Sequence, residues 1–213
     1  MNGLILEGIP AVGKSCALQA LRACPEFQQR LSTLILSEHY TERAVEHVEE
    51  VAPVRYERLM YRLLAALEPL RVLGVEGPVF ADGGAKARLR YVFERFHLTN
   101  ILAHANGDLA MLHRVENTLR VYQPVTVLLT VDPAEIEPRL QDTLARRNPG
   151  WQTWLLRQGR DLPAVAAHFA DQQQRYRELL AAASLPGYEL NVSELGYETV
   201  ALRLNASLDD ASA

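Results

Sequence analysis

The stretch that decides the fold is Leu4-Ile5-Leu6-Glu7-Gly8-Ile9-Pro10-Ala11-Val12-Gly13-Lys14-Ser15. A short apolar run bounded by Gly3 and Gly8 reads as a buried strand. The next eight residues fit G-x-x-x-x-G-K-[ST] at every fixed position, and a helix follows from Lys14 to Ala23, stopped near Pro25. Each fixed residue has a physical reason. Glycine lets the backbone take positive φ and come close to a ligand. Successive backbone N–H groups around Ala11, Val12 and Gly13 then point inward and cradle anionic oxygens. The helix that opens at Lys14 adds its positive end. Lys14 reaches the β- and γ-phosphates of a bound nucleotide, Ser15 offers its hydroxyl to Mg²⁺, and Cys16 continues the phosphate-contacting turn. The expected ligands are therefore ATP and Mg²⁺.

Moving outward, strands and helices alternate. Leu31 to Leu36 reads as a strand ending at Ser37-Glu38-His39, and a helical stretch follows from about Thr41 to Pro53. Tyr56, Leu59, Met60, Leu63, Leu64 and Leu67 recur at spacings of three and four, an amphipathic helix within Val54 to Leu73. Gly74 to Ala87 holds four glycines and one proline and is read as a flexible loop over 74–87. Leu89 to Glu94 reads as a third strand, His97 to Tyr122 as one long helix bent at Gly107, and Val125 to Val131 as the clearest strand. Pro133 then starts a helix to about Arg146. Arg147 to Asp161 breaks the pattern at Asn148-Pro149-Gly150, giving a lid expected over 146–161. Leu162 to Ala183 is helical, Tyr188 to Val192 a last strand, Tyr197 to Leu204 a last helix, and the tail after Ser207 is expected to fray. Strands alternating with helices imply right-handed crossovers and a parallel sheet covered on both faces, in one domain spanning 1–213.

Composition bounds the function. The 213 residues carry a formal charge of −4, with no basic run, so neither composition nor patterning points to nucleic acid. No apolar run approaches the length of a membrane span, and no signal-peptide pattern opens the chain, so a cytoplasmic protein is expected. Of the 22 lysines and arginines only Lys14 and Lys86 are lysine, and one of these stands in the glycine-rich loop. Cys16 and Cys24 lie on one helix with Cα atoms about 12 Å apart, too far for a disulfide, and are expected as two buried thiols. The histidines form no metal-ligand spacing with cysteine or with each other.

Three carboxylates end strands: Glu38, Glu94 and Asp132. In a parallel sheet all three fall on the carboxyl edge, where α/β folds bind ligands. Glu94 suits Mg²⁺, beside Ser15, and Arg95 suits a phosphate. Asp132 competes for the metal, but its place before Pro133 favours a helix cap, since aspartate accepts N–H bonds there. Phosphoryl transfer also needs positive charge on the moving oxygens, often from a closing lid. Arg139, Arg146 and Arg147, with Arg157 and Arg160 behind them, are the arginines available. Phe96, His97, Tyr40 and Tyr56 could line an acceptor pocket.

On these residues the chain resembles the deoxynucleoside kinase and thymidylate kinase superfamily along nearly its whole length. Leu4 to Ser15 resembles its opening strand and phosphate loop, Tyr91-Val92-Phe93-Glu94-Arg95 its third strand with the acid–Arg pair, and Val125 to Pro133 its fourth strand. Arg139 to Arg147 is similar to the helix leading into its lid, and Tyr188 to Ser193 to the last strand and adenine-packing loop. The resemblance implies a three-layer α/β phosphate-loop NTPase fold, with a five-stranded parallel sheet in order 2-3-1-4-5. It implies transfer of the γ-phosphoryl group from ATP to a (deoxy)nucleoside or nucleoside monophosphate. Glu38 would be the general base and Arg146 and Arg147 the lid cations, with Asn191 and Ser193 near adenine. The chain departs from the pattern at Phe96, where serine or tyrosine is usual, and at His39, where proline is usual. The acceptor therefore stays open between these classes and a non-nucleotide hydroxyl such as an antibiotic or sugar.

A non-catalytic ATP-binding switch is the alternative class. A Ras-like GTPase needs Asn or Thr, then Lys, any residue and Asp, which neither lysine satisfies, and no ABC-type signature is present. The partners expected are ATP and a small-molecule acceptor, with a homodimer left open.

Overall fold

The computed structural model describes residues 2–28, 33–41, 53–69, 71 and 90–210. Five strands, β1 (Asn2–Glu7), β2 (Thr33–Leu36), β3 (Arg90–Glu94), β4 (Pro124–Thr130) and β5 (Gly187–Asn191), form one sheet in order β2-β3-β1-β4-β5. Every pairing is parallel. The expected 2-3-1-4-5 order is the observed one. The burial pattern follows from it. β1 and β3 sit inside the sheet and every residue in them is buried, whereas the edge strands β2 and β5 are mostly half-buried or exposed. A strand covered on both faces needs a continuous apolar run, which Leu4-Ile5-Leu6 and Tyr91-Val92-Phe93 supply.

Helices cover the sheet. α1 (Lys14–Ala23) packs against the last helix, α10 (Val192–Asp210), which also lies on β1 and β4. A second group comprises α4 (Pro53–Ala65), α5 (His97–His104), α6 (Leu109–Leu119) and α9 (Leu162–Ala182), with α9 also touching α7 (Pro133–Leu144), β4 and β5. Short helices α2 (Pro25–Gln28), α3 (Glu38–Thr41) and α8 (Pro149–Leu156), with one 3-10 turn at Arg120–Tyr122, complete the described elements. Asn2 ties the ends together, its Nδ2 donating to the Leu208 carbonyl at 3.1 Å. Among the described residues no helix is long and apolar enough to cross a membrane.

Three expectations on elements need correction. The long helix over His97 to Tyr122 is two helices, because Asn106 and Gly107 both adopt positive φ and Asp108 caps α6 by accepting from Ala110 N and Met111 N. The segment 147–161 contains α8. Asn148 accepts from Trp151 N and Pro149 takes the first turn, where its missing N–H costs nothing. The last helix runs to Asp210 rather than fraying after Ser207; its main body starts after the break at Gly196 (φ 71°), as expected at Tyr197, and a short helical turn from Val192 leads into it. The expected helix between Thr41 and Pro53 and the loop over 74–87 lie outside the described residues, apart from α3 at their start.

Candidate active site

The phosphate loop leaves β1 at Glu7 and enters α1 at Lys14. Gly8 (φ 140°) and Gly13 (φ 99°) both take backbone conformations that side chains disfavour. Each is also crowded. A Cβ on Gly8 would come within 2.5 Å of the Leu129 carbonyl, and one on Gly13 would strike the Tyr197 hydroxyl. Ala11 carries a third positive φ, 61°. Val12 is wholly buried and anchors the loop in the core. Lys14 is only 5% exposed. Its ammonium arches back over the loop and donates to the Gly8 carbonyl at 2.8 Å and the Ile9 carbonyl at 2.9 Å.

A cleft of about 280 Å³ opens above this loop. Ala11, Gly13, Lys14, Ser15 and Cys16 form its floor, Glu38, Glu94 and Arg95 one wall, and Arg139, Arg146 and Arg147 the other, with Tyr197 beside them. The sheet edge explains the gathering: β1, β2 and β3 end together, so Gly8, Glu38 and Glu94 emerge on one side. Ser15 Oγ donates to Glu94 Oε1 at 3.2 Å. Glu38 pairs with Arg95, Oε2 to Nε at 3.4 Å. Arg95 adopts φ 55°, a left-handed conformation unusual for a residue with a side chain, and its N–H is held by the Leu6 carbonyl at 2.9 Å. The Thr41 hydroxyl donates to the Glu94 carbonyl, which fixes β3 against α3.

A buried network holds this wall to the loop. Glu7, fully buried, accepts from Phe96 N (3.1 Å), Leu98 N (3.0 Å) and Thr99 Oγ1 (2.5 Å). These are donors at the start of α5, where a helix lacks internal partners and favours negative charge. The residue preceding the phosphate loop thus grips the turn that follows Glu94-Arg95. His97 lies wholly buried between Glu7 (3.7 Å) and Glu116 (3.7 Å). Glu116 in turn accepts from Ser184 N (2.7 Å) and Ser184 Oγ (2.8 Å). Burial pushes the Glu116 carboxyl up, but His97 and the two Ser184 donors outweigh it and hold the group below its ordinary value.

Several expected site residues stand elsewhere. Phe96 and His97 are core residues, not pocket lining, because Glu7 draws the backbone inward at Phe96 and Leu98, on either side of His97. Tyr56 is buried and stacks on His104 at 3.6 Å between ring centroids. The side chains of His39 and Tyr40 lie outside those described. Asp132 occupies the cap position of α7 without capping it; its Oδ1 accepts instead from Asn191 Nδ2 at 2.9 Å. Ser193 Oγ accepts from Asp132 N at 3.1 Å. Asn191, Ser193 and Asp132 therefore knit the β4 and β5 ends to each other rather than line the cleft. Both cysteines are free thiols, but Cys16 is exposed in the cleft and Cys24 only half-buried, because α1 turns its other face to the core.

The arginines differ in what already engages them. Arg139 donates through Nε and Nη2 to Glu135 (2.9 and 2.7 Å) and through Nη1 to Tyr197 (3.2 Å). Burial pulls its guanidinium down, yet these partners raise it overall. Arg146 pairs with Asp142 one turn earlier. Arg147 lies over the Trp151 ring, 5.5 Å from its centroid. Arg160 pairs with its neighbour Asp161 at 3.3 Å, and neither it nor Arg157 lines the cleft.

Sequence reasoning missed Glu7 and Tyr197. For Glu7 a signal existed: a charge inside a buried strand must be paired, and nothing local could pair it. Tyr197 gave none, since its meeting with Gly13 depends on how α10 returns across the sheet.

A strand, a glycine-rich loop and a helix on a parallel sheet of order 2-3-1-4-5, with Lys14 and Ser15 at the sheet's carboxyl edge, define a phosphate-loop NTPase fold. Solved structures agree on that fold. The chain is similar to the YorR protein of Bacillus subtilis, crystallised with phosphorylated GDP, over 97% of this chain and 95% of that one (14% identity, TM-score 0.57). It is likewise similar to polyphosphate kinase 2 of Arthrobacter aurescens TC1, over 99% of this chain and 69% of that one (16% identity, TM-score 0.57). No protein-family model matches the sequence, and no curated protein does.

Proposed function

We propose that this protein is an ATP-dependent phosphotransferase that moves the γ-phosphoryl group to a small-molecule hydroxyl, with a (deoxy)nucleoside as the leading acceptor. The observation that carries the reading is one cleft in which the phosphate loop faces a strand-end Glu38–Arg95 pair on one side and arginines on the other. A nucleotide switch needs the loop and a metal site; it has no need of a paired carboxylate across from them.

The residues fit the roles. Backbone N–H groups from Ala11 to Cys16 would cradle the β-phosphate, and Lys14 would swing from the Gly8 and Ile9 carbonyls to the γ-phosphate. Ser15 and Glu94, two oxygen donors already within hydrogen-bond distance, fit Mg²⁺, which prefers hard ligands and keeps several waters. The ion would supply positive charge to the phosphate oxygens. Glu38, oriented by Arg95, takes the acceptor's hydroxyl proton as the new O–P bond forms and the bond to the ADP leaving oxygen breaks. Lid arginines offset charge on the transferring group. A phosphate acceptor needs no base, so the Glu38–Arg95 pair favours the hydroxyl over a nucleoside monophosphate.

The test is an acceptor panel with ATP, comparing wild type with Lys14→Ala. Nucleosides, monophosphates and aminoglycosides form the acceptor arm. The guanine nucleotide bound to YorR and the name of polyphosphate kinase 2 add GMP, GDP and, as alternative donor, polyphosphate. Acceptor-dependent phosphate transfer that Lys14→Ala removes is the expected result. ATP binding with no transfer to any acceptor would leave the switch reading in its place.

A further inference from the structure

Resting on the phosphotransferase reading, we infer that Arg147 is the arginine that meets the transferring phosphate, and that Trp151 is the residue that positions it. Three lid-side arginines line the cleft: Arg139, Arg146 and Arg147. They share charge but not availability. A guanidinium donates only in its own plane, through five N–H groups. Arg139 spends that edge on Glu135 and Tyr197. Arg146 spends it on the Asp142 carboxylate and, through Nε, on the Asp142 carbonyl at 3.3 Å. Among the described residues no hydrogen bond or ion pair engages the Arg147 guanidinium. Its partner is the face of Trp151, at 5.5 Å.

The distinction is geometric. An aromatic ring takes the flat face of a guanidinium and leaves its donor edge open, so the same arginine can be held and still bind phosphate oxygens. Trp151 is itself fixed. Its backbone N–H goes to Asn148 Oδ1 at 2.9 Å, and its ring is partly buried against the core. It adjoins Trp154 at 6.1 Å between centroids, and Trp154 adjoins the buried Phe169 at 6.3 Å. An aromatic ladder therefore runs from the core to an exposed cation at the mouth of the phosphate site. Without Trp151 the Arg147 side chain would sweep its rotamers in water. With it, the charge stands where the cleft opens.

The chain has two tryptophans, both in α8. In Trp154→Phe, Trp151 alone reports by fluorescence. Mg-ATP should shift or quench that emission as Arg147 turns its edge to phosphate, and adding Arg147→Gln should abolish the change, with calorimetry confirming ATP occupancy in both proteins. In turnover with an active acceptor, Trp151→Leu should lower kcat about tenfold with ATP KM nearly unchanged, and Trp151→Phe, which keeps an aromatic face, should restore most of it. Bound ATP with silent Trp151 emission, or the same signal in Arg147→Gln, overturns the assignment. So does Trp151→Phe behaving like Trp151→Leu. Absence of any ATP heat overturns the nucleotide reading itself, and this inference falls with it.

Discussion

The Ser15 hydroxyl donates to the Glu94 carboxylate at 3.2 Å across 79 residues of sequence. The contact joins the start of α1 to the end of β3. It sets two oxygens side by side where the proposed Mg²⁺ would be held, whereas Asp132, another strand-end acid, accepts from Asn191.

Glu94→Gln should therefore raise the Mg²⁺ concentration needed for half-maximal turnover far more than Asp132→Asn. Removing one of two protein ligands weakens a site that binds Mg²⁺ largely through water, and a loss of about tenfold or more in apparent affinity is expected. Asp132→Asn keeps a polar oxygen for Asn191 and should lower the melting temperature slightly instead. Mg²⁺ titrations of both variants decide the ranking, and the reverse order would move the metal to Asp132.

The phosphate loop and the strand-end acids were legible because each rests on local pattern, whereas the strand order followed from the family resemblance those patterns carry. Apolar runs bounded by glycine make buried strands, and G-x-x-x-x-G-K-S makes one turn only. What stayed hidden depends on long-range meetings: Asp132 with Asn191, Gly13 with Tyr197, His97 with Glu7 and Glu116. Two misreadings were of another kind. Asn148-Pro149 and Asp108-Leu109 are helix starts, cap first and then first turn. Reading glycine and proline only as breakers hid the first, and reading periodicity across Gly107 hid the second.

The segment 146–161, expected as a lid, contains α8 flanked by short connections, so a closure there would have to move a helix rather than order a loop. Hydrogen exchange with a non-hydrolysable ATP analogue should slow by about tenfold or more at residues 145–148 and 157–161, where backbone bonds are turn-like and exposed. The core helix α9 should be unaffected. Unchanged exchange in both connections would remove the lid.

Glu116 gives a prediction on stability rather than catalysis. Its carboxyl is held below the ordinary value in the fold, so its ionised form contributes stability above the unfolded value of about 4.3 and loses it as pH falls through the folded value. Glu116→Gln should cost about 1–3 kcal/mol at pH 7, since His97 loses a carboxylate and Ser184 a charged acceptor. The gap between wild type and variant should close as pH drops from 5 to about 3. Urea melts across that range measure it, and a gap independent of pH would mean the ionised carboxylate contributes nothing there.

The Glu38–Arg95 pair separates the acceptor classes. If the acceptor is a hydroxyl, its proton must leave during transfer, and Glu38 is the cleft carboxylate that pairs with Arg95 at 3.4 Å. Losing a general base costs about 10²- to 10⁴-fold in rate. Glu38→Gln keeps size and a polar oxygen beside Arg95 but cannot take a proton at neutral pH. It should then lower kcat by that order while leaving ATP KM little changed. If the acceptor is a phosphate, the attacking oxygen is already an anion, and the substitution should act mainly on acceptor KM. Arg95→Lys serves as control. It keeps the charge beside Glu38 but not the flat guanidinium, so a hydroxyl acceptor predicts a smaller kcat loss than in Glu38→Gln, with no shift in which acceptors are used. Steady-state kinetics of both variants with one active acceptor are sufficient. A Glu38→Gln enzyme with unaltered kcat and acceptor KM would take Glu38 out of the reaction and leave its pairing with Arg95 as a structural contact at the strand ends.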